Sequence, residues 1–145
     1  MRFLALPLLL LAACQTTAPT TQTPTPAALP AAELRGTRWL PHRLAGQPVT
    51  PTADKELYLQ LHTADAQAEG QAGCNRFQGG FELPAAGQLR FGPLLTTRMA
   101  CPDLPTETSF VNALNATRTY RISGDTLRLY GQPADVALAE LHKAP

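Results

Sequence analysis

Strict alternation of apolar and polar residues is the feature of this sequence that most narrows its possible folds. Glu56–His62 alternates with its three leucines on one face, as a half-buried β-strand requires. Thr119–Ile122 and Thr126–Tyr130 alternate in the same way, and the turn sequence Ser123-Gly124-Asp125 lies between them. The pattern predicts a hairpin over residues 118–130. Shorter strand candidates, most of them bounded by Gly or Pro, are 36–44, 66–72, 77–83, 87–91, 94–99 and 136–142.

One segment, Pro105–Asn115, lacks this period of two. Its apolar residues Phe110, Val111 and Leu114 form one stripe at helical spacing, and a proline and an acid stand near its start. We therefore predict a helix of about three turns there. Many short strands with one helix indicate a mainly β fold, a small antiparallel barrel-like or strongly curled sheet with one α-helix packed across it.

The N-terminus has the form of an export signal. Arg2 precedes an apolar run, Phe3–Ala13, that is too short to span a bilayer. Leu11-Ala12-Ala13-Cys14 resembles the bacterial lipobox, in which a signal peptidase cleaves before a lipidated cysteine. We predict a lipoprotein signal peptide over 1–13 and acylation, palmitate included, at Cys14. A multiply acylated cysteine holds a protein on a membrane. The alternative is an ordinary cleaved signal with an incidental cysteine.

Residues 15–32 are almost entirely Thr, Pro, Ala and Gln, without charge or aromatic ring. Such a segment buries too little surface to offset its ordering entropy. We therefore predict the lipidated cysteine and a disordered tether over 14–32 and a folded domain over 33–145. In lipoproteins of two-membrane bacteria, an aspartate after the cysteine usually retains the protein at the inner membrane, and here Gln15 follows. We expect a cell-envelope location, at the outer membrane facing the periplasm if the organism has two membranes.

The charge balance argues against a nucleic-acid partner. The chain has 12 Lys+Arg and 11 Asp+Glu, and cleavage after residue 13 removes only Arg2. A formally neutral chain gains little from counterion release, so we expect no DNA or RNA to bind. After Cys14 no apolar run approaches the roughly 18 residues of a membrane-spanning helix. We therefore expect contact with the membrane through Cys14.

Three cysteines limit the chemistry that the chain can support. With Cys14 lipidated, Cys74 and Cys101 remain, and in an exported chain such a pair usually forms a disulfide. The closed loop of about 28 residues would stabilise the fold by roughly 3.5 kcal/mol. The sequence has no C-x-x-C of the thioredoxin type. A catalytic Cys–His pair, whose members meet only in space, stays open as an alternative.

Trp39 and the histidines are the other side chains that invite a functional interpretation. We interpret Trp39 as a core residue of the first strand, with its indole N–H on a backbone carbonyl; the alternative is an aromatic platform for a ligand. His42, His62 and His142 lie far apart without the spacing of zinc ligands. We therefore predict no metal site and no cofactor.

Several ordered motifs resemble those of the META (HslJ-like) domain family. Gly73-Cys74-Asn75-Arg76-Phe77-Gln78-Gly79-Gly80-Phe81, here named the signature segment, is similar to the family's G-C-N-x-F-x-G-x-Y, with Phe81 where tyrosine is common. Thr96–Cys101 resembles its T-R-M-A-C, Gly36–Leu40 its G-x-x-W-x-L, and Tyr120–Leu129 its closing hairpin. The match runs over residues 34–142. The family-signature residues in this chain are Gly73, Cys74, Asn75, Phe77, Gly79, Thr97, Met99 and Cys101.

The resemblance implies a mostly antiparallel barrel-like fold in a secreted or envelope protein and implies no known reaction. Members of the family are associated with envelope stress, antibiotic tolerance and, in some parasites, virulence or secretion. The residues themselves permit an architectural explanation. Gly73 and Asn75 suit tight backbone conformations. Gly79-Gly80 suggests a bulge or bend. Phe77 and Phe81 would share a face of a regular strand.

From these observations we expect a non-catalytic, lipid-anchored envelope domain, a monomer with a binding or stress-tolerance role. The acidic residues show no spacing that indicates a paired-carboxylate hydrolase. They are Glu56, Glu69, Glu82, Asp103, Glu107 and Asp125.

Two alternatives remain. One is a carrier of a hydrophobic ligand, similar to the lipid-binding secretin pilots. Its binding cavity would be lined by apolar residues that could equally well pack together as a filled core. These residues are Leu57, Leu59, Leu61, Phe77, Phe91, Phe110, Leu114 and Leu127. An inhibitor or assembly partner of another envelope protein would instead present the Pro- and Gly-rich loops 45–54, 84–88 and 131–135.

Overall fold

The computed structural model describes residues 32–50, 56–100 and 104–145. These residues form ten strands and one helix. The strands are β1 (Arg38–Leu44), β2 (Gln47–Pro48), β3 (Tyr58–Leu61), β4 (Gln67–Gln71), β5 (Arg76–Glu82), β6 (Arg90–Phe91), β7 (Leu95–Thr96), β8 (Thr119–Ser123), β9 (Thr126–Tyr130) and β10 (Ala137–Lys143). The helix, α1 (Leu104–Ala116), lies between β7 and β8 in the chain.

The strands form one antiparallel sheet that nearly closes into a barrel. Its order is β6-β5-β4-β3-β1-β10-β9-β8, with β2 paired to β1 and β7 paired to β5. The backbone just before β6 approaches the first residues of β8. Leu89 N–H donates to the carbonyl of Arg118 at 3.1 Å, and Tyr120 N–H donates to that of Gly87 at 2.9 Å. The predicted mainly β fold with one helix is therefore confirmed.

The predicted strands and helix are found, but the candidates 87–91 and 94–99 are each reduced to a strand of two residues, β6 and β7. Strand β2 was not predicted, because it has only two residues, one of them Pro48, and so shows no alternation of apolar and polar side chains. It forms because Ala45 (φ 46°) and Gly46 (φ 78°) reverse the chain against β1. At the predicted hairpin turn, Gly124 has a φ of 57°, as its sequence indicated.

Of the bulge or bend predicted at Gly79-Gly80, the bulge is wrong. β4 and β5 pair without interruption from Gln67 opposite Gly80 to Gln71 opposite Arg76. The unbroken strand therefore keeps Phe77 and Phe81 on one face, and both are buried. The register shifts lie elsewhere, in β1 between Pro41 and Arg43 and in β10 between Ala137 and Ala139.

The inside of the barrel is filled by side chains. Trp39 is fully buried, and its indole N–H donates to the carbonyl of Leu34 at 3.0 Å, as predicted for a core residue. The ring of Phe77 meets that of Phe110 edge-on, with centroids 5.8 Å apart, so α1 packs directly against β5. Other fully buried side chains are Leu59, Leu61, Leu89, Leu114, Leu127, Leu129, Leu141 and Thr117.

The chain enters the barrel at one end and carries the signature segment at the other. Ala32 N–H donates to the carbonyl of Gly124 at 3.0 Å, in the turn between β8 and β9. Strand β1 begins near this turn and runs to Leu44 at the opposite end. Gly73, which precedes β5, lies at that opposite end. We name the two ends the tether end and the signature end.

Some of the sequence-based predictions fall on residues outside the described ranges. These are the signal peptide, Cys14 and the tether up to residue 31, part of the loop 45–54, Cys101 and Asp103. Within the described ranges, no helix has both the length and the apolar character needed to cross a membrane.

Candidate functional site

Asn75 organises the signature end through its side chain. Its Oδ1 accepts a hydrogen bond from Met99 N–H at 2.7 Å and another from Thr97 Oγ1 at 2.8 Å. Its Nδ2 donates to the carbonyl of Met99 at 3.2 Å and to the carboxylate of Glu107 at 2.9 Å. Both polar atoms of the buried amide are thus engaged. The prediction of a tight backbone conformation is wrong for Asn75, because among the described non-glycine residues only Ala45 has a positive φ.

Glu107 is the buried partner of Asn75 in the first turn of α1. Its Oε2 accepts the backbone N–H of Asn75 at 3.0 Å in addition to the contacts with the amide. A buried carboxylate needs such donors, since losing them leaves a charge without compensation. From the sequence, Glu107 indicated only that a helix begins nearby. Its link to the signature segment depends on the tertiary fold.

Thr97 and Arg76 extend the same junction through the backbone. Arg76 N–H donates to Thr97 Oγ1 at 3.2 Å, and Thr97 N–H donates to the carbonyl of Arg76 at 3.0 Å. Cys74 is half-buried. Its predicted partner Cys101 lies outside the described residues, so the Cys74–Cys101 pairing stays a prediction.

Gly79 has a steric role. A Cβ at this position would lie 2.7 Å from the carbonyl oxygen of Pro93 and 2.9 Å from a methyl carbon of Leu94. The segment before β7 therefore passes too close for any side chain. At Gly80 the nearest atom would be 3.7 Å away, an ordinary contact. The structure thus brings Asn75, Phe77, Thr97 and Met99 into one junction between β5, the segment after β7 and α1. Gly79 instead packs against the segment before β7, and Gly73 borders a cleft beside the start of α1.

A cleft of about 540 Å³ opens at the signature end. The β1–β2 hairpin, Leu57, Gly73 and the first turns of α1 line it. Most of its described lining residues are apolar. The polar ones are Gln47, Thr50, Thr106 and Ser109, and no described lining residue is charged. The arrangement can enclose an uncharged ligand but provides no acid, base or nucleophile of unusual reactivity.

The histidines do not come together in one place. His42 and His142 stack on the outer face of β1 and β10 with ring centroids 4.3 Å apart. His62 lies in a separate cluster, with Nδ1 3.1 Å from Asp65 and Nε2 3.7 Å from Glu69. Among the described His, Cys, Asp and Glu residues, no group of three is arranged to hold a metal ion.

The acids are also dispersed. Glu56 pairs with Arg38 at 3.1 Å, Glu82 and Asp125 are exposed, and Glu107 is buried at the Asn75 junction. Glu140, which the sequence did not single out, has a lowered pKa. Burial opposes its ionisation, but the hydrogen bond and charge of Arg128 at 2.7 Å outweigh that effect, with a smaller contribution from His142.

The residues considered as the lining of a hydrophobic-ligand site belong to the packed core. Seven of them are buried, and Phe91 packs against the cluster from its edge. Leu59, Leu61, Phe110, Leu114 and Leu127 have no exposed surface. Their mutual contact supports the filled-core interpretation of that set.

These features define a small, nearly closed antiparallel β-barrel in which one hydrogen-bonded junction ties a strand to the single described helix. Residues 32–143 match the model of the META domain family, and the chain belongs to this family. The resemblance seen in the motifs is thereby confirmed.

Two solved structures share the fold. An NMR structure of a protein from Burkholderia xenovorans is 25% identical, with a TM-score of 0.61 over 85% of this chain and 97% of that one. A second NMR structure is 21% identical, with a TM-score of 0.58 over 76% of this chain and 89% of that one, and at that identity it shows the fold alone. No curated protein matches this chain in sequence.

Proposed function

We propose that this META domain is a non-catalytic binding domain of the cell envelope, anchored through a lipid on Cys14, with a role in envelope stress tolerance. The lipobox-like sequence before Cys14 supports the anchor. The use of the signature segment in hydrogen-bonded architecture supports a role other than catalysis. Asn75 and Glu107 satisfy each other and hold no reactive group toward solvent.

The observation that carries the proposal is the position of the chain entry. The Ala32–Gly124 hydrogen bond holds the first described residue at the tether end. The cleft bordered by Leu44 and Gly73 lies at the signature end. A domain held to a membrane by a tether that joins at Ala32 would have the freedom to present its opposite end to ligands or partners.

A second candidate function, an inhibitor or assembly partner, is favoured by the position of two loops. Ala45 N–H in the β1–β2 turn donates to the carbonyl of Leu138 at 2.9 Å, next to the loop 131–135. Two of the three loops considered for partner contact therefore adjoin at the signature end. The hydrophobic-carrier alternative is less favoured, because its proposed lining forms the packed core.

Lipid labelling tests the anchor. The full chain is produced in a bacterial host with labelled palmitate, alongside Cys14→Ser and, as a matched control, Cys101→Ser. We expect label and membrane association in the wild type and in Cys101→Ser, and neither in Cys14→Ser. A wild type without label, or a Cys14→Ser variant that keeps it, would contradict the anchor.

Turnover assays test the absence of catalysis. The purified protein is incubated with peptidoglycan, ester and peptide substrates, and we expect no turnover above the background of a mock purification. Turnover that a single substitution abolishes would overturn the non-catalytic assignment.

A further inference from the structure

Two hollows adjoin on the outer face of the sheet. One, of about 360 Å³, lies over β3, β4, β5 and β7. The other, of about 450 Å³, lies over the ends of β4 and β5. Both are lined by Arg76 and Thr97, so they lie side by side. We name the two together the sheet-face groove and define it by Tyr58, Glu69, Arg76, Gln78, Leu95 and Thr97.

Strand register brings the groove side chains together. Glu69 pairs directly with Gln78, and Gln78 pairs with Leu95, so these three cross β4, β5 and β7 in one row. Arg76 is two residues from Gln78 and therefore on the same face. Phe77 between them points into the core and is 2% exposed, so this row points outward.

The ring of Tyr58 is held in place at the wall of the groove. The guanidinium of Arg38 covers it at 3.5 Å from the ring centroid. Arg38 is in turn held by Glu56, with Nη2 and Oε2 3.1 Å apart. Two side chains thus orient one aromatic ring before any ligand binds, which lowers the entropy cost of binding.

The polar side chains of the groove have hydrogen-bonding capacity to spare. The guanidinium of Arg76 and the amide of Gln78 make no hydrogen bond or ion pair with other described residues, and Glu69 has only the 3.7 Å contact with His62. The charges of Arg76 and Glu69 are opposite, so the groove selects neither an anion nor a cation. Planar carboxylate, guanidinium and amide groups each present two hydrogen-bonding atoms side by side.

We propose that the sheet-face groove binds an uncharged oligosaccharide. Neighbouring hydroxyls of a sugar ring match the paired atoms of Glu69, Arg76 and Gln78, and the apolar C–H faces pack on Tyr58 and on Leu95, which is 68% exposed. The two hollows accommodate a ligand of more than one sugar unit. The inference rests on the proposed binding role, because the cell envelope supplies glycan polymers as ligands.

Titration calorimetry with defined sugars tests the proposal. The full chain is purified in a detergent without a sugar headgroup and titrated with chitotetraose and with maltotetraose. We expect saturable binding of at least one of the two. Arg76→Ala and Gln78→Ala should each weaken that binding at least about fivefold through the loss of hydrogen bonds, and Tyr58→Leu should weaken it similarly through the loss of the ring.

Matched controls separate the groove from the rest of the surface. Arg90→Ala and Gln67→Ala remove the same residue types from exposed positions of β6 and β4 outside the groove. They should bind as the wild type does, and thermal unfolding should show every variant folded. Failure of both sugars to bind, or equal weakening by the control variants, overturns the proposal. Neither result affects the palmitate labelling of Cys14. A failed sugar-binding proposal can therefore be distinguished from a failed proposal of a lipid anchor.

Discussion

Asn75 and Glu107 lie 32 positions apart in the sequence and are joined by three hydrogen bonds of 2.9–3.1 Å. The same asparagine amide also holds the backbone of Met99 from both its polar atoms. One side chain therefore ties the start of β5 to α1 and to the segment that leads into the helix. The most distinctive motif of the sequence acts as a structural junction.

Removing the amide should be costly. Asn75→Ala leaves the Glu107 carboxylate buried with only part of its hydrogen bonding, and we expect a loss of about 2–4 kcal/mol in the free energy of unfolding. Glu107→Gln should cost less, because one oxygen still accepts from Asn75. Urea unfolding measures both. Asn112→Ala, on the exposed side of α1, should change stability by under about 0.5 kcal/mol. Equal stability of Asn75→Ala and Asn112→Ala would contradict the junction.

Adjacent glycines should respond differently to the same substitution. Gly79→Ala places a methyl 2.7 Å from the carbonyl oxygen of Pro93, so we expect destabilisation of about 1–3 kcal/mol from overpacking. Gly80→Ala meets nothing closer than 3.7 Å and should be neutral or stabilising by up to about 1 kcal/mol. Thermal unfolding of the two variants gives the comparison. A tolerated Gly79→Ala would mean that the segment at Pro93 shifts freely.

Leu59 distinguishes a filled core from a ligand cavity. Its side chain has no exposed surface, so Leu59→Ala should cost about 2–5 kcal/mol of unfolding free energy. Leu95→Ala, on a residue that is 68% exposed, is the matched control and should cost under about 0.5 kcal/mol. Chemical denaturation checks both values. A small cost at Leu59 would revive the hydrophobic-carrier alternative.

Glu140 should make stability depend on acid pH. Although burial opposes ionisation, Arg128 and His142 lower the pKa of Glu140 below its ordinary value of 4.5. A lowered pKa in the folded state means a contribution that is complete above the unfolded pKa and is lost as the pH falls through the folded one. Glu140→Gln should therefore lose less stability than the wild type between about pH 7 and about pH 3.

The size of this effect should be under about 1 kcal/mol, because both partners are partly exposed to water. Glu82→Gln, an exposed acid in β5, is the control and should follow the wild type. Unfolding curves across the pH range provide the measurement. Identical pH dependence of the wild type and Glu140→Gln would show that the ion pair contributes nothing.

Intact mass should reveal the state of Cys74 and Cys101. Protein exported to a bacterial periplasm and purified without reductant should be two hydrogens lighter than its fully reduced form, and peptides containing Cys74 and Cys101 should stay linked after proteolysis. Reduction should lower stability by roughly 3.5 kcal/mol, as expected for a closed loop of this length. A full thiol mass would disprove the pairing.

The elements that local pattern determines were predicted from the sequence. Alternation located β3, β8 and β9, and the break in that alternation located α1, because side-chain period is a property of a short stretch of backbone. Trp39 was likewise assigned to the core with its indole N–H bonded to a carbonyl. Two-residue β2 was missed, since two residues cannot show a period.

The predictions that failed concern what approaches each residue from elsewhere in the chain. At Gly79 a side chain would collide with Pro93 and Leu94, whereas the sequence alone indicated a bulge or bend there. Asn75 was assigned a special backbone conformation, whereas its side chain makes the decisive contacts.

Sequence alone therefore determined the strand and helix content and the family motifs, and it predicts the export signal. Each of these depends on residues that are neighbours in the chain. Only the tertiary structure showed that Asn75 meets Glu107, and that Tyr58, Arg76 and Gln78 share one groove. Contacts between distant residues depend on strand order and register, and many pairings are compatible with the same local periodicity.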